Sequence, residues 1–422
     1  MIRVSRRMLA PVAVSVVATV FAGAAHAADN RADWPQWRGP ARDAVAAPFQ
    51  APKAWPEKLK KVWSVEAGGG HSSPVVAGNR IYLHSRQGED EVIAAYDLQT
   101  GKPLWKDQYP LPYTPLAQAL QHGKGPFSTP TLHDGRLYTF GINETLSAYD
   151  AASGKLLWRN DYAKDFKEPR PYFGTSASPL VVDGLLIVPV GGPGQGALVA
   201  LDPKTGAVKW RRDTPGEGPS YASPVVGELS GVRQIVTQAE NSLIGVAVAD
   251  GALLWQIPYK VPYGNNIVTA VMHGDTFIVT GYDLDLMAVR PVKKDGAWTT
   301  ETVWGNRQGA MFMASPVLAE GVLYGQGTRS RGQLFAVDAK SGKTLWTGPP
   351  GQGENGHVVS AGDYLFVLKD SAELEVVRRS AESYQKVAAY DVADSPTWGY
   401  PVVLGDKILV KDAKNLTLWS VG

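Results

Sequence analysis

The sequence predicts an all-β fold, an eight-bladed β-propeller built from four-stranded antiparallel blades. One motif recurs along the chain, as AYDLQTGKPLW (95–105), AYDAASGKLLW (148–158), ALDPKTGAVKW (200–210) and AVDAKSGKTLW (336–346), with a weaker copy, GVAVADGALLW (245–255). The tryptophans at its end and at equivalent positions, from Trp63 to Trp346, lie 42 to 53 residues apart, a period typical of propeller blades and of some helical arrays. Each unit consists of short alternating stretches separated by Gly, Asn and Asp turns, without a long amphipathic helix pattern, which favours the propeller.

The motif itself predicts a structural role. Its Asp-to-Gly segment is typical of a hairpin turn, because Asp and Thr bond nearby backbone N–H groups and Gly accepts a positive φ. The tryptophan that follows is expected to pack between adjacent blades and to donate its indole N–H to a neighbouring turn. This tryptophan-docking position is occupied by Trp63, Trp105, Trp158, Trp210, Trp255, Trp304 and Trp346.

A second recurrent element marks the first strand of each unit. Ser73-Pro74, Thr129-Pro130, Ser178-Pro179, Ser223-Pro224 and Ser315-Pro316 share it, and Tyr400-Pro401 imitates it. Because proline cannot donate to a β-ladder, we expect these prolines at inner strand edges. The first strands number eight, with seven blades as the alternative. The last unit has room for three strands, so KKVWSVEA near the N-terminus is expected to supply its fourth and close the ring.

The N-terminal region predicts export. Residues 1–27 combine Arg3, Arg6 and Arg7 with an apolar run and an Ala-His-Ala cleavage site, which is typical of a secretory signal peptide. Ser5-Arg6-Arg7-Met8-Leu9 also resembles a twin-arginine signal, so both export routes stay open. We therefore expect a periplasmic or secreted protein with a signal peptide (1–27), an N-terminal extension (28–57) and one propeller (58–422).

Composition excludes several classes of function. The chain has 0 cysteines, so disulfides, thiolate chemistry and a lipid anchor on cysteine are not expected. Removing residues 1–27 takes three arginines from a formal net charge of +2 and leaves a charge of −1. Without a Lys/Arg stripe, nucleic acid is not an expected partner. No GxSxG, HExxH or phosphate loop occurs, and we expect a monomer.

The tryptophan-docked AxDxxTGxxxW repeat resembles that of the pyrroloquinoline quinone (PQQ) dehydrogenase superfamily, over nearly all of residues 58–422. The opening DWPQWRGPARD (33–43) is similar to that of many secreted PQQ-like repeat proteins. The resemblance implies two branches. One oxidises alcohols or sugars with PQQ and a calcium or lanthanide ion. The other resembles the cofactor-free propeller lipoprotein of the outer-membrane protein assembly machinery, a scaffold from which this chain departs in lacking the lipidated cysteine.

The predicted site is the channel mouth, ringed by the residues that precede each first strand. These residues are His71, Phe127, Phe173, Tyr221, Asn265, Asn266, Phe312, His357, Trp398 and Tyr400. Such a funnel suits a small organic ligand or a peptide, although bulky groups that plug the channel are the alternative. The loops 107–126 and 160–174 and the cations of RSRG (329–332) are expected on the same face. The metal candidates are Asp283 and Asp285, close in sequence to Asn265 and Asn266.

These observations favour a non-catalytic binding or protein-interaction scaffold of the cell envelope, without a cofactor. The alternative is a short, cysteine-free quinoprotein alcohol or sugar dehydrogenase that binds PQQ and calcium. A carbohydrate-active propeller is a third hypothesis, for which no paired carboxylates stand out. The repeat itself says little about chemistry, because one fold hosts many functions.

Overall fold

A computed structural model describes residues 33–46, 49–167 and 170–422. The predicted signal peptide, residues 1–27, lies outside the described residues. Eight blades of four antiparallel strands form the ring, and one of them carries a short fifth strand in parallel, which confirms the predicted eight-bladed propeller. In every blade except blade 7 the first strand is shorter than the second and third, and the fourth strand is the most exposed of each blade. The apolar core lies between neighbouring blades.

The first four blades contain the following strands: blade 1, Val75–Ala77, Arg80–Gln87, Asp90–Asp97 and Pro103–Pro110; blade 2, Thr131–His133, Arg136–Phe140, Thr145–Asp150 and Leu156–Asp161; blade 3, Leu180–Val182, Leu185–Gly192, Gln195–Leu201 and Val208–Pro215; blade 4, Val225–Leu229, Val232–Gln238, Ser242–Ala247 and Leu253–Pro258.

The last four blades contain these strands: blade 5, Val271–His273, Thr276–Gly281, Leu284–Lys294 and Ala297–Asn306; blade 6, Val317–Ala319, Val322–Gly327, Gln333–Asp338 and Thr344–Thr347; blade 7, Gly356–Ala361, Tyr364–Lys369, Glu373–Arg378 and Lys386–Asp391; blade 8, Val402–Leu404, Lys407–Lys411, Asn415–Ser420 and Lys60–Glu66.

The described helices are short 3₁₀ segments in the loops, at Ala117–His122, Tyr162–Lys164, Pro262–Gly264, Arg307–Gly309 and Arg329–Arg331. None of the described helices has the length and apolar character needed to cross a bilayer.

The ring closes through the two ends of the propeller. Lys60–Glu66 pairs antiparallel with Asn415–Ser420 and becomes the fourth strand of blade 8. This is the ring closure that KKVWSVEA predicted. Blade 8 therefore has four strands, and the two ends of the propeller are hydrogen-bonded to each other.

The repeated tryptophans join each blade to the next. The indole nitrogen of Trp105 donates to the carbonyl oxygen of Ala151 in blade 2, at 3.0 Å. A Cβ built on Gly154 would lie 2.5 Å from that indole, so the glycine of the turn lets the ring lie flat against it. The same donation to the next blade's turn is made by Trp63, Trp158, Trp210, Trp304 and Trp346.

Trp255 departs from the predicted docking. Its indole nitrogen donates to Oε1 of Gln234 in its own blade, at 2.7 Å, and its ring stacks on Phe277 with 5.0 Å between centroids. The reason lies in blade 5, whose long third and fourth strands are joined by the two-residue turn Asp295-Gly296 in place of the five-residue Asp-to-Gly turn of the motif. The ring therefore turns inward over Gly245, where a Cβ would lie 2.0 Å from the indole.

The Ser/Thr-Pro elements form a closed circle of hydrogen bonds around the channel. In each step a backbone N–H of one blade donates to a side-chain hydroxyl of a following blade, at 2.8–3.0 Å. The circle runs through Ser73, Thr129, Ser178, Ser223, Thr269, Ser315 and Tyr400, whose backbone N–H returns to Ser73. Tyr400 of blade 8 spans blade 7, because its long side chain reaches the N–H of Ser315.

Replacing one hydroxyl of this circle should destabilise the whole ring. In Ser178→Ala the buried N–H of Thr129 loses its acceptor, and we expect a loss of about 1–2 kcal/mol in the free energy of unfolding. Urea unfolding checks this. The control is Ser72→Ala, since the Ser72 hydroxyl is also buried but bonds only the carbonyl of Ser73, at 3.4 Å; equal losses in the two variants would contradict the circle's role.

The described N-terminal segment, residues 33–46, crosses the channel. Trp34 exchanges two backbone hydrogen bonds with Val76 of blade 1, and Val45–Ala46 pairs in parallel with the first strand of blade 7. Side chains reach the other side, where Arg42 donates to the carbonyl of Pro179 at 2.8 Å and Arg38 to that of Pro316. This segment occupies the inner edge of blade 7, the one blade whose first strand starts with neither proline nor a ring hydroxyl.

Candidate functional site

A cavity of about 290 Å³ opens at the channel mouth. Its upper wall consists of aromatic side chains that precede the first strands, and its lower wall consists of hydroxyls of the hydrogen-bonded circle. Trp37 of the N-terminal segment lies against Tyr400, with 5.9 Å between ring centroids, and forms part of the lining. The channel is thus a blind cavity, with a volume near the lower end for ligand pockets.

The structure brings nine of the ten predicted mouth residues to this cavity, namely His71, Phe127, Phe173, Tyr221, Asn265, Phe312, His357, Trp398 and Tyr400. Their role in binding stays a prediction. Asn266 does not belong with them, because its side chain is buried and bonds the backbone of Val261, Ala239 and Tyr259. Asn266 therefore holds the loop that presents Asn265.

Sequence reasoning missed other lining residues. Gln118, Gln121 and His122 line the cavity from the 3₁₀ segment Ala117–His122. This segment belongs to the loop 107–126, which the sequence marked as functional by its length but without naming a side chain. His122 lies edge-on to Trp398 and to His71, with ring centroids 5.1 and 5.7 Å apart. His71 in turn stacks on Trp398 at 5.3 Å and 18°. These three rings form one wall of the cavity.

Burial keeps the histidines of the cavity neutral near pH 7. It lowers the pKa of His71 to about 3, with help from the neighbouring charges of His122 and Lys411. Burial also lowers the pKa of His357 to about 4, and Arg38 contributes. The pKa of His122 is lowered for the same reason, burial. None of the described lining residues is Asp, Glu, Lys or Arg, so the cavity surface carries no charge at neutral pH.

The structure places Asp283 and Asp285, the metal candidates of the sequence, in exposed contacts with arginines. Asp283 pairs with Arg329 at 3.0 Å and Asp285 lies 4.0 Å from Arg307, and both carboxylates are more than half exposed. Neither lines the cavity with Asn265. Among the described residues, no three His, Cys, Asp or Glu side chains converge as metal ligands.

Three large side chains that neighbour lining residues, in sequence or through ring contacts, are exposed to solvent, and we call these three the rim. Leu120 is 64% exposed, Tyr172 61% and Tyr263 84%. Leu120 and Tyr172 are sequence neighbours of lining residues. Tyr263 continues the wall through Tyr282, which packs on Phe312 with 5.0 Å between centroids. Aromatic and aliphatic groups gathered around one opening are typical of a docking surface.

Fold and repeat together define a PQQ-like β-propeller repeat protein. More narrowly, the chain belongs to the family described as outer membrane protein assembly factor BamB, whose model matches residues 54–123 and 116–348.

Relatives come from both branches. The outer membrane protein assembly factor BamB of Yersinia pestis is 23% identical over 85% of this chain and 77% of its own length. The quinoprotein alcohol dehydrogenase PedH of Pseudomonas putida is 29% identical over 51% of this chain, and the match spans only 37% of PedH. The crystal structure of quinohemoprotein alcohol dehydrogenase from Comamonas testosteroni superposes with a TM-score of 0.67 at 15% identity, covering 94% of this chain and 82% of the other. At that identity it shows the fold alone.

The donor set of the cavity does not fit a quinone paired with calcium. Calcium in proteins takes several oxygen ligands, among which carboxylates supply the charge. The described cavity lining offers hydroxyls and the amides of Asn265, Gln118 and Gln121, but no carboxylate. A general base of the Asp or Glu type is likewise absent from the described lining.

Proposed function

We propose that this protein is a non-catalytic binding scaffold of the cell envelope, which docks a protein or peptide partner at the channel mouth. The observation that carries the proposal is the blind aromatic cavity surrounded by the exposed apolar rim of Leu120, Tyr172 and Tyr263. A partner could insert one side chain into the cavity and cover the rim with its backbone neighbours. Aromatic anchors in a pocket are typical of interface hot spots.

Two further points support the scaffold over the quinoprotein dehydrogenase. The described lining lacks both the carboxylate ligands and the acid–base group that such an enzyme needs. The match to the assembly factor of Yersinia pestis also spans 77% of that protein, whereas the match to PedH spans 37% of PedH. Location in the periplasm or outside the cell belongs to the same proposal, since it follows from the export signal predicted in residues 1–27.

Site-specific photo-crosslinking in the native cell tests the docking face. A photoreactive phenylalanine analogue at Tyr263 is expected to give a discrete crosslinked species, which Tyr172→Ala should weaken at least several-fold. The matched control places the analogue at Lys340, an exposed position in a hairpin turn on the opposite face. Crosslinks of equal yield from Lys340, or none from Tyr263, would contradict docking at the mouth.

The catalytic alternative has its own test. The purified protein is incubated with PQQ and Ca²⁺ and assayed for dye-linked oxidation of alcohols and sugars. We expect no turnover above that of protein-free controls. Sustained turnover that disappears on chelation of calcium would overturn the non-catalytic proposal.

A further inference from the structure

The hydroxyl groups at the base of the cavity accept hydrogen bonds but do not donate their own protons. Each of Ser73, Thr129, Ser223, Thr269 and Ser315 uses a lone pair to accept a backbone N–H of another blade. A serine or threonine hydroxyl also carries one proton. None of these five hydroxyls donates its proton to a described group, and all five line the cavity. The base of the cavity is therefore encircled by hydroxyls that each accept one backbone N–H and keep their own proton free to donate.

Buried positive charge lies behind this circle without a compensating carboxylate. Arg38 is 1% exposed and Arg42 6% exposed, and both stack on Trp37 with the guanidinium carbon 5.3 Å from the ring. Among the described residues, their donors reach only carbonyl oxygens and the amide of Gln36. The Nε atoms of both arginines are buried without a partner. Buried charges are normally paired, so this arrangement is unusual.

A third buried cation flanks the cavity. The Lys411 ammonium donates to the backbone carbonyl of Asp412, and burial lowers the pKa of Lys411 to about 8. At neutral pH it remains mostly charged, and its charge acts on the lining residue His71. The Nδ1 atom of His357, another buried lining group, has no hydrogen-bond partner. The buried carboxylate of Asp412 offsets part of the Lys411 charge. Arg38 and Arg42 are therefore the buried cations beside the neutral-walled cavity that have no carboxylate partner among the described residues.

We propose that the cavity binds a small aromatic carboxylate, with its ring between the aromatic walls and its carboxylate on the hydroxyl circle above Trp37. The O–H donors match carboxylate oxygens, which only accept hydrogen bonds. The buried arginines favour a negative charge at this depth, where water screens little. The aromatic rings above supply flat apolar contact for the rest of the ligand. The proposal shares the cavity with the docking function but does not depend on a protein partner.

Calorimetric titration of the purified protein with a matched pair of probes tests this. The probes are 2-naphthoate and its uncharged analogue 2-naphthamide. We expect 2-naphthoate to bind at least ten-fold more tightly, and Ser223→Ala with Thr269→Val to weaken its binding by about a hundred-fold or more, as expected for two hydrogen bonds to a charged group. Binding of 2-naphthamide should change less than three-fold.

Ser178→Ala is the matched control, because Ser178 belongs to the same circle but does not line the cavity. It should reduce stability and leave the affinity for 2-naphthoate unchanged. Equal affinity for the two probes, no binding of either, or an equal loss in Ser178→Ala would overturn the carboxylate site. If the double variant does not fold, the preference between probes in the unmodified protein still decides. The crosslinking experiment at Tyr263 does not depend on carboxylate binding, so it tests the docking function independently of this proposal.

Discussion

Gly154→Ala is expected to reduce the free energy of unfolding by about 2–4 kcal/mol, a large effect for one methyl group. Gly154 has a φ of 75°, which costs any other L-residue about 1 kcal/mol or more. The new Cβ would also lie 2.5 Å from the ring of Trp105, which is held by its bond to the carbonyl of Ala151. The indole must then move out of the interface between blades 1 and 2. Urea unfolding of the purified protein measures the loss.

Gly135→Ala separates the two causes. Gly135 lies in the same blade with a φ of 69°, and nothing lies within 4 Å of a Cβ built on it. It should cost only the backbone contribution, about 1 kcal/mol. In a Trp105→Ala background, Gly154→Ala should likewise cost about 1 kcal/mol, because the ring is gone. An undiminished loss there would show that the indole contact is not the cause.

The fold was predictable because its signals are local and repeated. The Asp-to-Gly turn, the tryptophan and the Ser/Thr-Pro element each occur at a constant place in the unit, so the period and the ring closure follow from counting. Trp255 shows the limit of this reasoning. Trp255 ends a copy of the motif, but the following blade lacks the five-residue turn that would accept its indole N–H. Blade 5 has the two-residue turn Asp295-Gly296 instead, in RPVKKDGAW. A docking residue is thus predictable only when both halves of the contact are present in the sequence.

The N-terminal segment was not predictable in the same way. Residues 33–46 occur once, without periodicity, and arginines such as Arg38 and Arg42 are usually solvated. Their burial depends on carbonyl oxygens of Pro316, Pro179 and Ser178, which lie 136 to 278 residues away in sequence. Only the folded ring brings those acceptors together. The sequence predicts the prolines at inner strand edges, but the circle of hydroxyl acceptors beside them emerges only when the blades are assembled.

The mouth residues were largely predictable as a set, because position before a first strand determines which side chains reach the channel. Neighbouring residues were harder to distinguish. Asn265 and Asn266 are chemically identical, and the backbone after the turn Pro262–Gly264 directs one into the cavity and the other into the protein. The loop contributing His122 was marked by its length, but its lining side chains depend on the conformation of the turn.

Acid should destabilise this protein through the buried imidazole of His357. Burial lowers its folded-state pKa to about 4, from 6.5 in an unfolded chain. Between these two values the unfolded chain binds a proton that the folded protein does not, so stability is present above pH 6.5 and is lost as the pH falls. From pH 7 to pH 5 the loss from this residue is about 2 kcal/mol. The pKa of His71 is lowered in the same direction, and its contribution adds to the loss.

The measurement compares urea unfolding of the unmodified protein and of His357→Gln at pH 7, 6 and 5. Glutamine cannot be protonated, so the stability of the variant relative to the unmodified protein should rise by about 2 kcal/mol as the pH falls from 7 to 5. Carboxylates that titrate in the same range cancel in this comparison. Parallel curves for His357→Gln and the unmodified protein would show that His357 takes up its proton in the folded state, and that the base of the cavity is wetter than its burial implies.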